Sequence, residues 1–149
     1  MPARPPLPPL AFAFALSVAL PAVAAEVTVT EAWVRGTVAG QRATGAFMTL
    51  TARADMALVG ASSPVAKVVE VHEMALDGGV MKMRAVSRID LPAGKPVALK
   101  PGGYHVMLMA LQAPVAEGTK VPIALEFEAR GGQRTIVTIE APVRALTAR

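Results

Sequence analysis

From Glu26 to Val143 this sequence holds no sustained helical period; it is a succession of short β-type runs cut by glycine, proline and aspartate. Strands are predicted at Val27–Arg35, Thr44–Thr51, Ala57–Ser62, Ala66–Ala75, Val80–Ile89, Pro96–Lys100, His105–Ala110, Val121–Ala129 and Thr135–Val143. Turn signals lie between them at Gly36 to Gly40, Asp77-Gly78-Gly79, Pro92-Ala93-Gly94, Pro101-Gly102-Gly103 and Gly131-Gly132. Many short strands at this spacing, without a convincing amphipathic helix, predict an all-β sandwich or barrel. There is no repeat, low-complexity tract or internal linker, so residues 26–143 are read as one domain and 144–149 as a loose tail.

Two hairpins have a register that turn chemistry can specify. If Asp77-Gly78 forms a two-residue type I′ turn, His72 faces Met83, Met74 faces Met81 and Glu73 faces Lys82; if Gly78-Gly79 is the turn, Met74 faces Met83. Either choice keeps His72, Met74, Met81 and Met83 on one face. In the last hairpin, a two-residue Gly131-Gly132 turn would set Ile123 and Leu125 opposite Glu140 and Thr138. A three-residue loop, Arg130 to Gly132, pairs Phe127 with Thr135, Leu125 with Val137 and Ile123 with Ile139, and is preferred because it buries one consistent face.

The N-terminus predicts where the protein works. Leu10 to Leu20 is an uninterrupted run of apolar and small residues, followed by Pro21 and Ala22-Val23-Ala24-Ala25-Glu26. A short apolar core with an Ala-x-Ala-like site reads as a cleaved secretory signal over 1–25, since a membrane span needs about 20 apolar residues. No second run is long enough to span, so the mature chain is expected to be exported, periplasmic and without a membrane span.

Removal of the leader also corrects the composition. Much of the 53% hydrophobic content lies in those first residues, and from Glu26 onward there are 14 basic against 11 acidic residues. The basic residues are scattered singly, which gives no electrostatic footprint for nucleic acid. There is no cysteine. An exported domain of this size must then fold on its apolar core alone, without disulfides. A blue-copper electron-transfer site, which needs a thiolate, is excluded.

The chemistry-bearing residues are concentrated. The only two histidines, His72 and His105, share a segment with five of the eight methionines: Met74, Met81, Met83, Met107 and Met109. Strand alternation puts His72 with Met74, Met81 with Met83, and His105 with Met107 and Met109 on shared faces. Val106 and Leu108 then form the buried side of the last of these strands. A methionine stripe at this spacing is ordinarily core filler, but filler does not explain why every histidine falls among the methionines. Imidazole and thioether without thiolate suit a soft monovalent ion, above all Cu(I).

His72, ten residues, Met83, twenty-one residues, His105, one residue and Met107 give the pattern H-x10-M-x21-H-x-M. With it stand HEM at His72–Met74, MKMR at Met81–Arg84, LPAG at Leu91–Gly94, LKPGGYHVMLM at Leu99–Met109, Ala32-Trp33 and Gly45-Ala46-Phe47-Met48. In these features the mature chain resembles the PCuAC-type periplasmic copper chaperones. The resemblance implies a cupredoxin-like, Greek-key β-sandwich that binds one Cu(I) per chain through His72, Met83, His105 and Met107. It further implies a monomer that supplies copper to an apo-acceptor such as the oxidase subunit carrying the CuA centre, or exchanges it with another copper carrier. Some relatives add a His- and Met-rich C-terminal extension; here no His or Met follows Met109.

Competing readings are a copper storage or resistance carrier, a zinc module using His72, His105 and Glu73 or Asp77, and a metal-free immunoglobulin-like module. Glu73 alternates away from His72, and zinc has little use for thioether. An enzyme is not expected, because no Ser-His-Asp or Cys-His set and no phosphate-cradling glycine loop is present. Tyr104 and the Pro101–Gly103 turn are expected to frame a docking rim beside His105.

Overall fold

A computed structural model describes residues 26–148; the expected signal sequence over 1–25 lies outside the described residues. The described residues form ten strands and no helix: β1 (Val27–Arg35), β2 (Ala43–Ala52), β3 (Met56–Ser62), β4 (Ala66–Asp77), β5 (Val80–Ala85), β6 (Ile89–Leu91), β7 (Val97–Leu99), β8 (His105–Leu111), β9 (Lys120–Ala129) and β10 (Arg134–Arg144). Their alternating apolar pattern is what drives the choice of strand. In β9, Val121, Ile123, Leu125 and Phe127 are buried while Pro122, Ala124 and Glu126 between them are partly exposed. Each fully buried side chain of this size contributes roughly 1.5–3 kcal/mol relative to exposure.

Hydrogen bonding follows one path, β5-β4-β8-β2-β1-β10-β9-β3-β6, with β7 beside β2. Only β1/β2, β4/β5 and β9/β10 are neighbours both in sequence and in the sheet, so the other pairings require long, Greek-key-type connections. The path folds back on itself. A single core cluster joins Ala46, Leu50, Val71, Val106 and Leu108 of one half to Leu58, Leu91, Ile123, Leu125 and Phe127 of the other, which makes the halves the two layers of a sandwich. They meet where β1 and β10 run parallel, at Val34↔Val143 and Arg35↔Arg144.

Several expectations are corrected. The run Val80–Ile89 is not one strand: β5 ends at Ala85 and pairs with β4, while β6 begins at Ile89 and pairs with β3. The break lets the chain change layers, and Val86 N–H is held by Val71 O at 2.9 Å just before it does so. The β4–β5 hairpin turns at Gly78-Gly79 and not at Asp77-Gly78, so Met74 pairs with Met83, Glu73 with Arg84 and His72 with Ala85. Both glycines have positive φ, 59° and 81°, as a type I′ turn demands at both central positions. The β9–β10 register is the preferred one, Phe127↔Thr135, Leu125↔Val137 and Ile123↔Ile139, with Gly132 left-handed in the loop.

One irregularity prepares the site. Between Thr30 and Trp33, β1 gains a residue relative to β2, and Glu31 there has φ 54°. Before this bulge Val27 and Val29 pack on the core; after it Ala32 and Val34 do. The slip of phase, an ordinary consequence of a bulge, puts Trp33 and Arg35 on the outer face of the layer.

Candidate functional site

Both histidines and Met74, Met81, Met83, Met107 and Met109 gather on that outer face, across β8, β4 and β5. The face exists because the inner positions of the same strands are taken by Val71, Val106 and Leu108, which strand alternation sets on the core side. His72 and His105 are direct cross-strand partners on β4 and β8, with ring centroids 5.8 Å apart. Met107 pairs with Glu70 on one side and Gly45 on the other. Met74 stands opposite Met83 across the hairpin, and its N–H is bonded to Gly103 O at 3.2 Å.

A cleft of about 280 Å³ is lined by Met74, Met83, His105 and Met107, with Arg35 and Phe47 among its walls. Three of the four expected ligands therefore share one cavity, and His72 is not among its lining residues but stands beside His105 as its cross-strand partner. Met83 is 48% exposed whereas His105 is only 4% exposed, so the thioether is reachable and the imidazole is sheltered. Met81 pairs with Leu76 near the hairpin tip, and Met109 pairs with Val68 and Ala43, two residues beyond Met107. Met83 lies diagonal to His72 rather than opposite it, as the corrected register requires.

Each imidazole has one satisfied nitrogen. His72 Nε2 lies 2.8 Å from Glu70 Oε2, and His105 Nδ1 lies 3.1 Å from Gly103 O. The other nitrogens, His72 Nδ1 and His105 Nε2, are buried with no hydrogen-bond partner. Burial lowers the pKa of His105 below its ordinary 6.5; the charges of His72 and Arg35 act in the same direction, and the bond to Gly103 opposes them. Neutral imidazole is the form that binds metal.

Aromatic packing sets one wall. Trp33 and Phe47 rings are 4.6 Å apart, and Phe47 lies 6.3 Å from His105. Arg35 stacks over Phe47 at 5.3 Å, and Arg144 over Trp33 at 5.1 Å. Gly45 makes room for this stack, since a Cβ there would stand 2.9 Å from Phe47 Cζ.

Sequence reasoning missed Glu70 and Arg35. Glu70 was findable, because two residues before His72 on a strand is the same face; Arg35 was not, because the bulge decides its side. Tyr104 is corrected: it packs against the core cluster and does not frame the rim, whereas Pro101 and Gly102 do line the cleft. The carboxylates of the zinc reading are engaged elsewhere, Glu73 with Arg84 and Asp77 with Lys82. Among the described residues no three His, Asp or Glu side chains form a metal-holding group.

The family described as "LpqE-like" ("Putative lipoprotein LpqE-like") matches residues 27–143. The apo-DR1885 structure from Deinococcus radiodurans is 35% identical, covers 97% of this chain and 94% of its own, and superposes with a TM-score of 0.59. The chain belongs to the LpqE-like family of PCuAC-type proteins. The Cu(I) form of DR1885 is 32% identical over 86% of this chain and 81% of its own, with a TM-score of 0.56. A copper-bound PCuAC domain from PmoF2 is 25% identical over 83% of this chain and 97% of its own, with a TM-score of 0.65. A protein of Leifsonia xyli subsp. xyli named "Putative lipoprotein Lxx21020" is 36% identical over 102 residues, 68% of this chain. The chain spans 61% of that relative's length.

Proposed function

We propose that this protein is a periplasmic Cu(I) metallochaperone that holds one ion with His72, Met83, His105 and Met107 and supplies it for assembly of the CuA centre of the respiratory oxidase. The observation that carries the reading is the pair of buried imidazole nitrogens without partners, beside a cleft lined by thioethers. Leaving a buried acceptor unpaired costs about 1–3 kcal/mol, a cost that metal coordination removes. Two neutral nitrogens and two neutral sulfurs suit a closed-shell soft monovalent ion and not a hard divalent one. The copper-bound state of the PmoF2 domain and of DR1885 supports the same cargo.

Delivery follows from the same chemistry. Thioethers carry no proton near neutral pH, so the ion can pass to an acceptor by exchange of one ligand at a time. The half-exposed Met83 is the first to be replaced, and the sheltered His105 the last. Export rests on the apolar leader in 1–25 and on the lipoprotein name of the Leifsonia relative. No helix among the described residues is long and apolar enough to cross a membrane.

Anaerobic Cu(I) titration of the purified protein against a chromophoric competitor, with Zn(II) in parallel, tests the site. One tight Cu(I) and far weaker zinc are expected; a zinc preference, or two tight Cu(I), overturns the site as drawn. Deleting the gene should lower oxidase activity at limiting copper, with partial rescue by added copper. Normal oxidase with lost copper tolerance would instead identify a storage or resistance carrier.

A further inference from the structure

The two imidazoles are held at opposite nitrogens by partners that can only accept. An ionised carboxylate has no proton to give, and neither does a backbone carbonyl. The bond from His72 Nε2 to Glu70 Oε2 therefore puts the ring proton on Nε2, and the bond from His105 Nδ1 to Gly103 O puts it on Nδ1. A neutral imidazole carries one N–H, so the bare lone pairs are Nδ1 of His72 and Nε2 of His105. These are the two ring atoms that the fold buries without a partner.

We propose that Glu70 is a positioning residue: it locks His72 in the Nε2–H form, so that His72 Nδ1 and His105 Nε2 are the nitrogen donors presented to the ion. The inference rests on the Cu(I) reading above and adds to it the atoms and the residue that selects them. Glu70 lies on the site face of β4, opposite Met107 and two residues before His72. Its side chain is 45% exposed while that of His72 is 11% exposed, so the carboxylate reaches the ring from the solvent side and leaves the inner nitrogen free. The His105 lock needs no side chain, because the turn preceding β8 supplies the Gly103 carbonyl. The two locks differ in kind, and only the first can be removed by substitution without rebuilding the backbone.

Long-range ¹H–¹⁵N correlation spectra of the copper-free protein at pH 8 read the tautomers directly. Wild type should show His72 as Nε2–H and His105 as Nδ1–H. Glu70→Ala should turn His72 into a tautomer mixture, leave His105 unchanged and preserve the thermal midpoint, while Cu(I) affinity falls 10–100-fold, the usual cost of losing an outer-shell partner. Glu73→Ala, which removes the same charge one strand face away, should change neither tautomer. A wild-type His72 in the Nδ1–H form overturns the proposal, as does Glu70→Ala with an unchanged His72 tautomer and wild-type Cu(I) affinity. The expected tautomers in a wild-type protein that binds no Cu(I) would overturn the functional reading and the donor assignment together. Swapped tautomers with tight Cu(I) binding would overturn this assignment alone.

Discussion

A methionine on the solvent side of a sheet gives little to the core, and that separates the two duties of the methionines in this protein. Met48 and Met56 are buried and pack in the core cluster, whereas Met83 is half exposed on the site face. Met83→Leu and Met107→Leu should each weaken Cu(I) in competitor titration while shifting unfolding by less than about 1.5 kcal/mol, since the exchange nearly conserves volume. Met74→Leu should weaken binding less than Met83→Leu; the reverse order would move the thioether ligand to Met74. His105 supplies a pH signature in the copper-free protein. Its folded pKa lies below the unfolded value of 6.5, so the unfolded chain binds more protons between the two. Stability contributed by its neutral form is complete above 6.5 and is lost as pH falls from there towards the lowered folded value. Denaturant midpoints measured down this range should decline more steeply in wild type than in His105→Gln. Gly45→Ala should push the Phe47 ring off its place, at an overpacking cost of roughly 1–3 kcal/mol. A changed Trp33 emission and weaker Cu(I) binding would report it.

The β4–β5 hairpin is the least anchored element that carries a proposed ligand. Every residue of β5 is exposed, and β5 ends the hydrogen-bonded path. An edge hairpin with so little burial belongs to the low-stability end of the structure. Amides of Val80–Ala85 should exchange with solvent much faster than those of β8, and Cu(I) should slow them because Met83 would be tied to β8 through the ion. Equal exchange with and without Cu(I) would remove Met83 from the ligand set. The turn is the handle on this element. Replacing Gly78 and Gly79 together by valine forces two L-residues into the left-handed region, at about 1–2 kcal/mol each. Cu(I) affinity should then drop more than tenfold by titration while the global unfolding midpoint moves little. The hairpin is also where turn reading reached its limit. Asp77-Gly78 is the stronger local turn signal, but Gly78-Gly79 lets Asp77 and Lys82 form an ion pair on the face opposite the methionines and keeps Met74 against Met83.

At the scale of the whole molecule, rigidity comes from the sandwich, and the proposed site lies on one of its outer faces. Phe127 and Leu58 are fully buried in the core between the layers. Phe127→Ala should cost about 3–5 kcal/mol and lower the thermal midpoint whether or not copper is present. Ligand binding adds a separate term: at free Cu(I) a thousandfold above Kd the native state gains about 4 kcal/mol. Scanning calorimetry should show that gain in wild type and in Phe127→Ala, and should lose it in the His72→Ala, His105→Ala double variant. Independence of the two effects would place the ion at the face and not in the core.

The sequence by itself determined the fold class, nearly all the strand positions, the β9–β10 register and the short set of residues worth suspecting. These depend on local quantities: apolar alternation with period two, glycine at turns, and the fixed spacing of two histidines and two methionines. The tertiary structure alone decided which of them meet. His72 and His105 face one another because β4 and β8 are sheet neighbours, although 33 positions separate them in the chain. Trp33 and Arg35 reach the site through a bulge whose one-residue slip moves the core-facing positions from Val27 and Val29 to Ala32 and Val34. Val80–Ile89 reads as one strand and is two, because the pull that divides it comes from β4 on one layer and β3 on the other. Which ring nitrogen is bare is a matter of hydrogen-bond partners a few ångströms away, set by strand register and a turn carbonyl, and spacing in the chain carries no information about it.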